Sequence, residues 1–421
     1  MRKDAPSFLA THQAGIHPRM PPEQYPHRVL VVVSGMSPQV LTETLYALAV
    51  QRTPPFLPTE IHLLSTASGA RHARLSLLDG DAHFHRLCED YALDAGVFGA
   101  AGIHALAGLD GRPLDDIRSA QDNEAAADFI TGFIRDQTAR TDAAVHVSMA
   151  GGRKTMGYYA GYALSLYGRD QDRLSHVLVS EGFEGHRDFF YPTPSSTAIY
   201  REGKPALDAS EARVELAEIP FVRLRDELPE DMLASSALYG GRHGFRQAIA
   251  NANQARQPQV MDLDMDALQF RCGDRDLAAL GAANIALLCW LAWRQSRGVP
   301  RLDIRDILHH GKALGAEFQQ VCQQLQDRDE SRTAAARSHG QAAALALPEL
   351  TKVIGALEQG GLRGRGDFDY RRSNLNTALI RLLGRRVAGQ FEIKNFGARG
   401  HASYGFEDFE RRFRVTPEAA P

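Results

Sequence analysis

The sequence reads as a parallel α/β sheet wound with helices on both faces, followed by a mainly helical domain. Three features of the chain lead there. Between residues 28 and 223 short apolar runs alternate with longer amphipathic ones, the pattern of strands joined by crossover helices. Several of the short runs are apolar throughout rather than alternating, as expected of strands buried on both faces. After Leu224 the pattern turns helical.

The elements follow in order. RVLVVV (28–33) reads as a buried strand, and PQVLTETLYALAVQR (38–52) as the helix after it, with Ser37 as its cap, Pro38 in the first turn and Leu41, Leu45 and Leu48 on one side. EIHLLS (60–65) is a second strand and NEAAADFITGFIRDQ (123–137) a second helix. AAVHVS (143–148) and KTMGYYAGYALSLYG (154–168) repeat the strand-helix pair, and LSHVLVS (174–180) is the next strand. RVELAEIPFVRL (213–224) reads as one or two strands near the sheet edge, broken at Pro220. The architecture expected is Rossmann-like and doubly wound. Helices are expected near 277–294, 304–326, 347–359 and 370–384, the last followed by two short alternating runs around a Gly-rich turn in QFEIKNFGARGHASYGFE. Helix then hairpin is the shape of a winged helix. The expected layout is a flexible tail over 1–26, the Rossmann-like domain over 27–224, a linker over 225–260 containing NANQARQPQ, and the helical winged-helix-like domain over 261–415.

Composition narrows the function. A chain of 421 residues with 44% hydrophobic content can build a large core, and a net charge of -3 gives no global pull toward nucleic acid or an anionic membrane. Cys88, Cys272, Cys289 and Cys322 form no CxxC pair, so neither a zinc site nor a disulfide framework is implied. The Pro- and His-rich start has no apolar core of signal-peptide type. LAALGAANIALLCWLAW (277–293) is apolar, but at 17 residues, with Asn284 in the middle, it reads as a buried helix rather than a membrane span. A cytoplasmic protein is expected.

Two loops carry the chemistry. Ser34-Gly35-Met36-Ser37-Pro38-Gln39 leaves the first strand, and Ser148-Met149-Ala150-Gly151-Gly152-Arg153-Lys154-Thr155 leaves the strand at 143–148. Each joins glycine and small hydroxyls to a helix start, which offers free N–H groups to an anion, so a phosphate ligand is expected. Neither is a G-x-G-x-x-G or a G-x-x-x-x-G-K-[ST] motif. Lys154 is one of only six lysines among 48 basic residues, a departure from the chain's preference for arginine.

These residues resemble the CRISPR-associated Rossmann-fold (CARF) proteins that bind cyclic oligoadenylates, some of which also cut the ring. The resemblance rests on SGMSPQVLTETLYAL (34–48), DDIRSAQDNEAAADFI (115–130), SMAGGRKTMGYYAGYALSLYGR (148–169), LSHVLVSEGFE (174–184) and FFYP (189–192). It implies a cyclic oligoadenylate, with the tetra-adenylate first, held at a twofold homodimer interface. Ser34, Gly35, Met36, Pro38, Gln39, Thr42, Met149, Ala150, Gly151, Gly152 and Thr155 would then contact the ligand.

Such a ring carries its own nucleophile, the ribose 2′-OH, so cleavage calls for alignment and charge neutralisation rather than a metal or cofactor. Lys154, Arg153 and Ser37 are the expected catalytic set: Lys154 at the moving phosphate oxygens or the leaving oxygen, Arg153 holding a neighbouring phosphate, Ser37 orienting the 2′-OH or the scissile phosphate. Thr42 and Glu43 read equally as contacts to an adenine edge or ribose or as a solvated helix face. Asp115, Asp116 and Arg118 read as a surface salt bridge or turn before a pocket wall, and Glu181 and Glu184 are left out because carboxylates repel phosphates. Two other functions compete. A regulator would use the winged helix on DNA through Tyr370, Arg371, Arg372, Arg381, Arg385 and Arg386, an outcome not favoured. A ribonuclease effector would use an R-x4-6-H pair, Arg305 to His310 or Arg332 to His339, a spacing that chance alone supplies roughly four or five times here.

Overall fold

Val29 to Val33 have no solvent exposure at all, because strands on either side and helices on both faces cover them. The computed structural model describes residues 20–416 apart from 150, 202–203, 235–243, 300, 339–346, 348, 360 and 398–400. The chain forms two compact units that part between Val222 and Arg223.

The first unit runs β1 (His27–Val33), α1 (Gln39–Tyr46), β2 (Glu60–Ser65), α2 (Ala67–Arg74), α3 (His83–Tyr91), β3 (Ile103–Ala105), α4 (Ala120–Ala139), β4 (Ala143–Ser148), α5 (Lys154–Tyr167) and β5 (Arg173–Val179). A hairpin, β6 (Ala198–Arg201) and β7 (Lys204–Asp208), and the strand β8 (Val214–Glu218) follow. The sheet has the order β3-β2-β1-β4-β5-β8, parallel except for the antiparallel edge pair β5–β8. This is a mixed α/β unit built on a parallel sheet, with strand order consistent with a Rossmann-like fold. β8 ends at Glu218, two residues before Pro220, which has no N–H to continue a ladder. α4 starts three residues before the expected Asn123, because Ser119 and Asp122 form a reciprocal capping box.

The second unit holds α6 (Glu230–Leu233), α7 (Phe245–Gln254), β9 (Met261–Asp264), β10 (Gln269–Cys272), β11 (Arg275–Asp276), α8 (Ala282–Ser296), β12 (Leu302–Asp303) and α9 (Ile304–Ser338). After them come α10 (Leu350–Glu358), α11 (Arg365–Leu383), α12 (Arg385–Ala388), β13 (Lys394–Asn395), β14 (Ser403–Gly405), α13 (Phe409–Arg412) and β15 (Phe413–Thr416). Residues 225–260, expected as a linker, include α6 and α7. Ala248 and Ala252 lie buried one turn apart on α7 and Met232 is buried on α6, so the polar run there is the outer side of an amphipathic helix. β9 joins β10 and β15, and β12, β14 and β13 form a separate small sheet in that order. α8 is apolar all round because it is the centre of this core: Trp290 has no exposure and stacks on Phe318 at 5.0 Å. Asn284 is accommodated by donating to the Leu280 carbonyl at 2.8 Å. Among the described residues, no helix is long and apolar enough to cross a membrane. All four cysteines are buried and unpaired.

Candidate functional site

Three turns leave the carboxyl edge of the parallel sheet side by side, after β1, β2 and β4, and backbone contact between glycines joins them. A Cβ placed on Gly35 would lie 2.8 Å from the Cα of Gly152, and one placed on Gly69 would lie 2.4 Å from the Gly35 carbonyl oxygen. Gly152 also takes φ +90, a region that side chains disfavour. Ser65 Oγ donates to the Gly35 carbonyl at 3.2 Å, tying β2 to the first turn.

The turns line a cleft of about 450 Å³. Gly35, Met36 and Ser37 come from the first turn, Thr66 and Ser68 from the second, Gly152, Arg153 and Met156 from the third. A fourth segment, Asp115, Asp116 and Arg118 between β3 and α4, completes the wall. Arg153 meets Asp116 through two hydrogen bonds, Nε to Oδ1 at 3.1 Å and Nη2 to Oδ2. The Ile117 N–H donates to Asp116 Oδ1 at 2.8 Å. The Arg153 guanidinium first, and then this N–H, hold the Asp116 carboxyl down to about 2, so it is ionised at neutral pH.

Of the residues expected from sequence, the cleft gathers Gly35, Met36, Ser37, Gly152 and Arg153. Lys154 and Thr155 are exposed in the first turn of α5 beside it. Lys154 makes no ion pair among the described residues. Gln39 is half-buried at the start of α1, and Ala150 lies outside the described residues.

Five further residues expected as contacts pack within the first unit. Ser34 is 1% exposed and its Oγ donates to the Ser37 carbonyl at 2.8 Å, so it braces the turn from inside. Pro38 is buried at the helix entry. Thr42 has no exposure and its Oγ1 is engaged with the Gln39 and Phe190 carbonyls at 2.9 and 2.7 Å, fastening α1 to the segment after β5. Met149 packs on α5, its Cε 3.4 Å from where a Cβ on Gly157 would be. Gly151 lies against Ser34, with a Cβ there 2.8 Å from the Ser34 Oγ. Ser37 does not cap α1 through its side chain. The cap position falls on Pro38, and the Ser37 carbonyl accepts from the Val40 N–H at 3.4 Å.

Sequence reasoning missed the β2–α2 turn. Its signal was present: TASG follows a buried strand with the same hydroxyl-and-glycine composition as the other two loops, and Thr66 caps α2 by accepting from the Gly69 N–H. Glu43, one turn along α1 from Gln39, is not solvated but 4% exposed. Burial, and then the nearby Glu184 charge, push its carboxyl up to about 8, so at neutral pH it carries a proton.

The family model of CRISPR-associated protein NE0113 (Cas_NE0113) matches residues 37–249, just over half of the chain. The chain belongs to this CRISPR-associated family. The matched Cas_NE0113 region takes in Ser37, the β2–α2 turn, Asp115 to Arg118 and the β4–α5 turn, and it ends within α7. No curated protein matches the chain.

Proposed function

We propose that this CRISPR-associated protein binds a cyclic oligoadenylate, the tetra-adenylate first, at the cleft of the three turns, with two copies gripping one ring as a homodimer. One observation carries the reading: adjacent strand-end turns, locked by glycine contact, bring Ser37, Thr66, Ser68 and Arg153 to one cleft at the N-terminal ends of helices, the arrangement that suits phosphate. The resemblance to CARF proteins supplies the ligand class. Met36, 61% exposed, and Tyr158, 56% exposed one turn into α5, offer apolar surface for adenine or for the second copy.

Cleavage would proceed with no metal. The ribose 2′-oxygen bonds to phosphorus and gives up its proton, the P–O5′ bond breaks, and the leaving 5′-oxygen takes a proton, leaving a 2′,3′-cyclic phosphate. Ser37 orients the 2′-OH, Arg153 holds a phosphate in its fork, and Lys154, on its long stem, follows the charge that develops on the phosphoryl oxygens. Such a reaction would end the signal that the ring carries.

A second reading, a DNA-binding regulator, has one observation in its favour. The small sheet has the order β12-β14-β13 and α11 precedes its β13–β14 pair, an arrangement that resembles a winged helix in which α11 would be the recognition helix, with α10 and α12 as additional helices. The charges count against it. Arg365 and Arg372 pair with Asp369, Arg371 with Asp367, and Arg381 with Glu230. The ribonuclease reading has less: Arg305 is folded back on Asp303 at 3.1 and 2.9 Å, and the helix breaks at His310. His339 lies outside the described residues.

The test is incubation of the protein with cyclic tri-, tetra- and hexa-adenylate in EDTA, with separation of products. Linear products ending in 2′,3′-cyclic phosphate support the nuclease. Binding without products leaves a sensor. Absence of binding for all three rings sinks the reading.

A further inference from the structure

The cleft proposed for phosphate already holds an anionic group of its own. Asp116 presents two oxygens to Arg153, Nε to Oδ1 at 3.1 Å and Nη2 to Oδ2, and Arg118 Nε stands 3.4 Å from the same carboxylate. The neighbouring Asp115 takes Arg71 at 3.1 Å, and that arginine also donates to Ser68 of the cleft wall at 3.0 Å. Both carboxylates lie on one short strap. It is fixed at one end by Leu114, whose N–H donates to the Leu106 carbonyl and whose carbonyl accepts from the Ala67 N–H, and at the other by Ser119, the cap of α4. Between these anchors the hydrogen bonds are the charged pairs, the Ile117 N–H to Asp116 and the Arg118 N–H to Asp122 at 3.1 Å.

A carboxylate and a phosphate offer a guanidinium the same two-oxygen fork. The Arg153 side chain is 56% exposed and that of Asp116 27%. Ion pairs this open to water contribute little to stability and exchange readily for a better anion. A phosphate group in an oligonucleotide ring, with further donors from Ser37, Ser68 and the α5 N-terminus, is such an anion.

We propose that Asp116 is a built-in substitute for a ligand phosphate: it occupies Arg153 in the free protein, and a docking phosphate ester displaces it and releases the 115–118 strap. The inference rests on the cyclic-oligoadenylate reading only for the choice of phosphate ester as the competitor. Its consequence is that both carboxylates of the free site are engaged by arginines, and that entry of a ligand is an exchange rather than a simple addition. The opposite role, in which Asp116 holds Arg153 in the pose that binds the ligand, makes the opposite prediction for the same variant.

The experiment is calorimetric titration of the full chain with two probes, inorganic tripolyphosphate and cyclic tetra-adenylate. Asp116→Asn keeps an acceptor for the Ile117 N–H and removes the charge. Asp115→Asn removes an equal charge from the same strap without touching Arg153, and so reports the general field. The proposal expects Asp116→Asn to bind about tenfold more tightly than the wild type and clearly more tightly than Asp115→Asn. In an Arg153→Ala background that excess should vanish. If tripolyphosphate obeys this cycle and the ring does not bind, the exchange stands and the cyclic-oligoadenylate reading falls. The proposal is overturned if Asp116→Asn binds no better than Asp115→Asn, if it binds more weakly than the wild type, or if neither probe binds any variant.

Discussion

Lys154 and Arg153 are neighbours with different states in the free protein: the arginine is engaged with Asp116, and the lysine is exposed without an ion pair among the described residues. If each does what is proposed, their removal separates binding from turnover. Arg153→Ala should weaken ring affinity by roughly 10- to 100-fold, the scale of a lost charge-assisted hydrogen bond. Lys154→Ala should slow cleavage by about 10² to 10³ with a smaller effect on binding, and Lys154→Arg should bind normally while remaining slow. Single-turnover rates beside equilibrium titrations check this, and a wild-type rate for Lys154→Ala would remove the lysine from the mechanism. Glu43 makes a prediction that needs no ligand. Its carboxyl titrates at about 8 rather than near 4.5, so the stability it allows is full at acid pH and is lost as pH rises through 8, where a buried charge must form. Glu43→Gln should remove that loss and stabilise the protein at pH 9 by on the order of 1–3 kcal/mol. Equal pH slopes for variant and wild type in urea denaturation would contradict it. The composition of the two loops was legible in the sequence. The burial of Thr42 and Glu43 was not, because nothing local says that the 189–191 segment returns to cover α1.

The elements of the sheet were read from continuous apolar runs such as RVLVVV and AAVHVS, where burial on both faces leaves little choice of residue. α2 and β3 escaped for the converse reason. ASGARHAR has few apolar residues to mark a helix, and β3 is three residues long. The glycine contacts between turns are legible only in three dimensions, since Gly35, Gly69 and Gly152 are far apart in the chain. Gly69→Ala should therefore destabilise the first unit by about 1–3 kcal/mol and weaken ligand binding as well, because its Cβ would force the β1–α1 and β2–α2 turns apart. Denaturation and titration of the same variant check both effects, and full stability with full affinity would contradict the packing argument. The β2–β3 edge of the sheet makes a pH prediction. His62 Nδ1 and His104 Nε2 stand 3.1 Å apart on β2 and β3. Burial, and then the charge of His62, pull His104 down to about 4, and burial lowers His62 as well. A histidine with a depressed folded pKa binds protons more readily when unfolded, so stability falls as pH drops from about 6.5 toward 4. His104→Phe should flatten that fall in a thermal-melt series between pH 7 and pH 4, and an unchanged slope would show that other groups set it.

At the scale of the molecule, the family match reaches from the first turn into α7, while the second unit must be understood from its own packing. Its helix-then-hairpin pattern was legible around the Gly-rich turn. The pairing of its arginines was not, because Glu230 comes from a segment that reads as a linker and stands far from Arg381 in sequence. With α11 neutralised in this way, DNA should be retained weakly and without sequence preference at physiological salt. Tight, sequence-selective retardation in a shift assay would instead favour the regulator. If the cleft of the three turns holds the ring, calorimetric titration with cyclic tetra-adenylate should give saturable binding to the wild type at one ring per two chains, and binding at least about tenfold weaker to Arg153→Ala; no binding to the wild type, or equal affinity for both proteins, would rule this out.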